Sequence, residues 1–141
     1  MNISECLEAG LLKRMPPDRK RALASLQMAE HKLGLAEKEL ESGIFENAVV
    51  TAYSSMFHSA RALLFKDGLK ERSHYAIFVY VDEKYSNRLE RRYLNEFNFL
   101  RLERHELLYG IDKTAETKAA DAKHALAVAK GFLAEARTLA E

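Results

Sequence analysis

Small and large apolar residues alternate at helical spacing along most of this chain, and no other feature constrains its fold so tightly. Ala22, Leu26, Ala29, Leu33, Ala36 and Leu40 recur every four and three residues in turn, the stripe by which one helix seats against another. Pro16, Pro17 and Asp18 precede it; proline is tolerated at the first helical position, and an acidic side chain suits the positive end of the helix dipole. Ser42-Gly43 ends it, the glycine fitting a left-handed residue after the last turn. The spacing predicts a first long helix over about 17–42.

A second long helix is expected over about 45–67, closed by Lys66-Asp67-Gly68. So short a turn forces it antiparallel to the first. Ala48, Ala52, Ser55, Ser59 and Ala62 make a narrow face that receives the leucines of the first helix, while Tyr53, Met56, Phe57, Ala60 and Leu64 lie on a different side. A helix apolar on two sides must be covered on both, so this one is central. Ser73 is a suitable N-cap for a short helix from His74 to about Lys84, and a further helix is expected over about 87–111. The last, over about 115–140, carries Ala119, Ala122, Leu126, Ala129, Leu133, Ala136 and Ala140 at the same alternating spacing. Ile3, Leu7 and Leu11 predict a small extra helix within residues 1–15, and no stretch of alternating polarity predicts a strand. The expected fold is all-α: one domain over 1–141, an antiparallel up-and-down bundle of four to five helices.

Composition narrows the function classes. Of 141 residues, 48% are hydrophobic and 30% charged, ordinary for a globular chain. Basic and acidic residues nearly cancel, 22 against 21, so no global field draws nucleic acid or membrane. A single cysteine, Cys6, excludes an intramolecular disulfide. The segment from Met1 to Cys6 lacks a basic region followed by an apolar run, and Asn47 to Phe65, whose one formal charge is Arg61, reads as a buried helix rather than a membrane span. A cytoplasmic protein is expected.

Candidate chemistry gathers on the fourth main helix. With residues placed roughly 100° apart, Tyr93, Leu94, Phe97, Leu100, Leu107, Leu108 and Ile111 form an apolar arc, and Arg104 falls in its middle. An unpaired charge does not belong at the centre of a core face. Arg104 therefore has a carboxylate partner, faces a crevice or lies at a subunit contact. Arg101 stands at the edge of the arc, and His105 and Tyr109 flank it, so Arg104, His105 and Tyr109 are expected to line one groove. Residues 61–104 hold ten Lys/Arg against seven Asp/Glu; a phosphate-binding groove and a solvated helix face both fit that excess. His31, His58, His74, His105 and His124 show no paired ligand spacing, so no metal is expected. Neither a P-loop nor a G-x-G-x-x-G fingerprint is present, so no cofactor is expected. Ser54, Ser55 and Ser59 read as packing residues, and Tyr53, Phe57 and Phe97 as core.

Three segments carry a resemblance. The helix Ala48–Leu64, with Tyr53, Met56-Phe57-His58, Ala60-Arg61-Ala62 and Leu63-Leu64, resembles the "A-Y-Y-x-M-F-H-x-A-R-A-L-L" helix of small HEPN-domain proteins. Ser73-His74, followed by Ile77-Phe78 and Tyr85, is similar to that family's short helix start. Leu100 to Tyr109 resembles the "L-x-x-x-R-x-x-A-D-Y" signature of its minimal single-domain subfamily. The resemblance implies a five-helix bundle, a homodimer, and a partner that is a minimal nucleotidyltransferase, the two acting as a toxin–antitoxin pair. Nuclease members are metal-independent endoribonucleases whose R-x4-6-H motif meets its dimer mate in a cleft. There the arginine stabilises phosphorane charge and the histidine moves a proton. Here the motif is R-x4-Y, Arg104 to Tyr109, and a tyrosine with its usual pKa of about 10 is a poor proton shuttle at neutral pH. The candidate catalytic set is Arg104, Tyr109 and His105, and the candidate ligand-binding set Arg101, Arg104, His74 and Arg61. Three functions remain open: a dimer binding nucleotide or RNA phosphate, an active ribonuclease toxin, and a purely structural interaction bundle. The arc around Phe97 and Leu100 is the expected dimer surface.

Overall fold

The computed structural model describes residues 1–111 and 116–141. Its elements in chain order are α1 (Ile3–Glu8), β1 (Leu12–Arg14), α2 (Arg19–Glu41), α3 (Phe45–Asp67), β2 (Leu69–Glu71), α4 (His74–Lys84), α5 (Arg91–Tyr109) and α6 (Ala119–Ala140). The all-α reading holds, and α2 to α6 supply the five helices of the resemblance. The expected start of the last helix at 115 lies outside the described residues; α6 begins at Ala119.

Alternating small residues bring α2 and α3 together. Ala22, Leu26, Ala29 and Ala36 of α2 are buried against Ala48, Ala52, Ser55, Ser59 and Ala62 of α3. Close approach buries two hydroxyls, and both find acceptors. Ser55 Oγ donates to the Ala29 carbonyl at 2.8 Å, tying the helices together, and Ser59 Oγ donates to the Ser55 carbonyl at 2.9 Å. These bonds remove the penalty of burying an unpaired hydroxyl. The other sides of α3 pack against α4, α5 and α6, which makes it the central helix. Tyr53 stacks on Phe97 of α5 at 5.6 Å between centroids, and Phe97 on Phe132 of α6 at 5.3 Å.

Phe97 and Leu100 are 0% and 3% exposed. They are core of this chain, which corrects the expectation that they form a dimer surface. α5 instead leaves Phe99, Leu102, Leu108 and Tyr109 exposed, with Ile111 beyond its end.

The ends of the helices follow their local chemistry. Asp18 caps α2, accepting from the Arg21 amide at 3.0 Å, so the helix opens at Arg19 rather than 17. Ser73 caps α4 by accepting from the Ala76 amide at 3.0 Å. α5 starts at Arg91, later than 87, because residues 85–89 form a separate turn.

The two strands are a correction. β1 and β2 pair antiparallel, Leu12 with Glu71 and Arg14 with Leu69. The three-residue strands carry no alternation long enough to read, and their partners are far apart in sequence. They also displace Leu11 from the predicted N-terminal helix, which ends at Glu8. Gly68 leads into β2 with φ +83°, and a Cβ there would lie 2.7 Å from the Met15 carbonyl oxygen.

Candidate anion-binding cleft

Four helices frame a cleft of about 320 Å³. Lys32 comes from α2; Thr51, Tyr53, Ser54, Phe57 and His58 from α3; His74 from α4; Arg104 and Leu108 from α5. The floor is aromatic. Phe57 stacks on His74 at 4.4 Å and meets His58 edge-on at 5.5 Å, so both imidazoles contact one ring.

The Arg104 guanidinium lies 5.9 Å from the Tyr53 ring centroid. Neither Arg104 nor Lys32 forms an ion pair among the described residues. Of the three positions open for Arg104, the structure places it at the crevice. Among the described residues no carboxylate lines this cleft, which leaves its two cations open to an anion.

The Tyr53–His74 pair fixes where one proton sits. Tyr53 Oη and His74 Nδ1 are 2.8 Å apart, and Tyr53 is 1% exposed. Burial raises the Tyr53 pKa against the smaller pull of Arg104, so the phenol keeps its proton. That proton has no other acceptor among the described residues. The phenol therefore donates to Nδ1, and the neutral imidazole carries its proton on Nε2. Burial, with help from Arg104, lowers the His74 pKa, which keeps the ring neutral. His58 is pushed down to about 4, by burial first and then by Arg61 and Lys32. The cleft thus holds two cations and two neutral imidazoles.

The sequence-predicted residues divide. Arg104 and His74 reach the cleft together. His105 and Tyr109 do not; both are exposed, Tyr109 at 64%, with their rings 5.1 Å apart outside it. Among the described residues Arg104, His105 and Tyr109 do not line one groove, because a helix turns His105 by roughly 100° and Tyr109 by roughly 140° from Arg104. Arg101 binds its own helix through Asn98 Oδ1, Nη2 donating at 2.9 Å, and lies over Tyr75. Arg61 is taken by Glu71: Nε donates to Oε1 at 2.8 Å and Nη2 bonds the same oxygen. Glu71 Oε2 is buried with no hydrogen-bond partner among the described residues, which leaves Arg61 as the cation bound to that carboxylate. The sequence reading missed Lys32, His58 and Ser54 as lining residues, and cast Tyr53 as core alone.

A larger concavity, about 360 Å³ between α5 and α6, is lined by Glu96, Glu103, Glu116 and Asp121 with His124. Its charge repels phosphate. Among the described residues no group of His, Cys, Asp and Glu could hold a metal ion, and no helix is long and apolar enough to cross a membrane.

Comparison with known protein families matches residues 22–139 to the HEPN domain. The chain belongs to the HEPN domain family. A Methanocaldococcus jannaschii protein named "Putative toxin MJ0605" is 29% identical over 106 residues, 72% of this chain and 77% of that protein. An Archaeoglobus fulgidus protein named "UPF0332 protein" is 39% identical over 49 residues, 35% of this chain and 39% of its own length. The matched span of this HEPN chain contains every residue lining the cleft.

Proposed function

We propose that this HEPN protein is a toxin-class bundle whose cleft binds a phosphate of RNA or of a nucleotide. Arg104 and Lys32 lining one cleft, with no carboxylate among the described residues that line it, carry the reading. A phosphate placed there accepts charge-assisted hydrogen bonds from both cations and from the His74 Nε2–H, in a site walled by aromatic rings. The kinship with a protein named as a toxin supports the class. On this reading the chain is cytoplasmic and acts with a minimal nucleotidyltransferase as the other half of a toxin–antitoxin pair. It works as a homodimer along the face of α5 that leaves Phe99, Leu102 and Tyr109 exposed.

A ribonuclease reading has one observation in its favour. His58 is a neutral imidazole in the cleft with no hydrogen bond among the described residues, free to accept the proton of a ribose 2′-hydroxyl. Titration of a single-stranded RNA in EDTA, followed by anisotropy and by gel, tests both. The phosphate reading predicts saturable binding that weakens with salt and leaves most RNA intact. Salt-independent or absent binding contradicts it, and rapid site-selective cleavage promotes the ribonuclease.

A further inference from the structure

The two imidazoles of the cleft are held differently. His58 has no hydrogen bond among the described residues. His74 is held by edge and face: Nδ1 meets Tyr53 Oη at 2.8 Å, and the ring stacks on Phe57 at 4.4 Å. Tyr53 is itself fixed in the core, stacked on Phe97 at 5.6 Å. With Nδ1 engaged, Nε2 is the ring nitrogen left to a ligand of the cleft that His74 lines.

The same hydrogen bond opposes a charge on the ring. A proton added to His74 would enter at Nδ1, the nitrogen that accepts from Tyr53. The imidazolium would then donate to Oη, and the phenol would have to turn its own proton away. Tyr53 is 1% exposed, and its hydroxyl has no other acceptor among the described residues. The turned proton would be an unsatisfied buried donor. The surroundings act in the same sense. Burial disfavours a positive His74 most, Arg104 next, and Arg61 and Arg101 add to it, while Glu71 of β2 alone opposes them.

We propose that Tyr53 is a positioning residue for the anion cleft: by donating to Nδ1 it aims the Nε2–H of His74 at the bound anion and makes that ring a permanent neutral donor instead of a titrating cation. The inference rests on the anion-cleft reading and adds the residue that sets its pH response. An anion held by Arg104, Lys32 and such a donor keeps its affinity as pH falls through the range where an unanchored histidine would gain charge and tighten the site.

Sulfate is the probe, because it stays a dianion throughout the histidine range. Its binding to the full chain is followed by calorimetry from about pH 8 to about pH 5, and the ring-nitrogen NMR shifts of His74 are recorded over the same range without ligand. The parent protein should show Nδ1 bare and Nε2 protonated throughout, with a level sulfate affinity. Tyr53→Phe retains the ring that stacks on Phe97. It should bind sulfate about threefold more weakly than the parent protein at about pH 8, part of one hydrogen bond, and about fivefold more tightly at about pH 5, where the freed His74 becomes a cation. The loss at high pH should vanish in a His74→Ala background, since Tyr53 acts through that ring. An Nδ1–H tautomer in the parent protein, or a His74 that titrates at the ordinary histidine value, overturns the assignment whether or not the variant folds. So does a variant whose sulfate affinity matches that of the parent protein or falls equally across the range, as a purely structural tyrosine would give; in either case the cleft stands. A parent protein that binds no sulfate fails the anion cleft itself, and the inference with it.

Discussion

Two arginines of similar sequence context have opposite situations. Among the described residues Arg104 stands half-buried over Tyr53 without a carboxylate, whereas Arg61 pairs with Glu71, whose side chain is 5% exposed. Removing Arg61 strands a buried carboxylate, so Arg61→Ala should cost about 3–5 kcal/mol in denaturant melts, and Glu71→Gln added to it should restore much of the loss. A near-neutral Arg61→Ala would show that water already compensates Glu71. His58 makes stability depend on pH. Its folded value of about 4 lies below the ordinary histidine value near 6.5. Between the two the unfolded chain binds more protons, so the stabilisation is complete above about pH 6.5 and is lost as pH falls toward about 4. Lys32 and Arg61 sharpen this, and Glu71 opposes it. Melting temperature should drop across that window, and drop less in His58→Gln; parallel curves for the two proteins would contradict the assignment.

The elements that repeat were legible in the sequence, and the ones that meet only in space were not. α3 and α4 begin and end where periodicity, Ser73 and Gly68 place them, because cap and core face are local chemistry. The ribbon of β1 and β2 was hidden, since neither strand is long enough to alternate and its register comes from tertiary contact. Of the cleft, Arg104 was legible as an arginine at the centre of an apolar arc, and His74 through its helix start. Lys32 gave no signal, because a helix face can be read from one segment while the face it meets cannot. His105 and Tyr109 drew attention through adjacency in sequence, which a helix converts into divergence. Gly68 is where the ribbon joins α3, with positive φ and the Met15 carbonyl against its α-carbon. Gly68→Ala should destabilise the protein by more than about 1 kcal/mol, with the loss of amide protection concentrated at residues 12–14 and 69–71. Protection unchanged there would mean the ribbon adjusts without strain.

The molecule joins a closed core to an open edge. Phe97 binds α3, α5 and α6 together inside the chain, and the outer side of α5 leaves Phe99, Leu102 and Tyr109 exposed. A second copy covering Phe99, Leu102 and Tyr109 should bury about 1,200–2,000 Å² in a specific dimer. Sedimentation at micromolar concentration should therefore give a dimer, and Leu102→Glu a folded monomer; a monomeric parent protein would contradict this. The central claim is that Arg104 serves a ligand and not the fold, and Arg104→Ala tests it most directly. Its denaturant midpoint and its affinity for single-stranded RNA should be measured on the same preparation. The account predicts a midpoint close to that of the parent protein and a loss of about 1.5–3 kcal/mol in binding, the worth of a hydrogen bond to a charged group. A large fall in stability with unchanged affinity per folded molecule would contradict it.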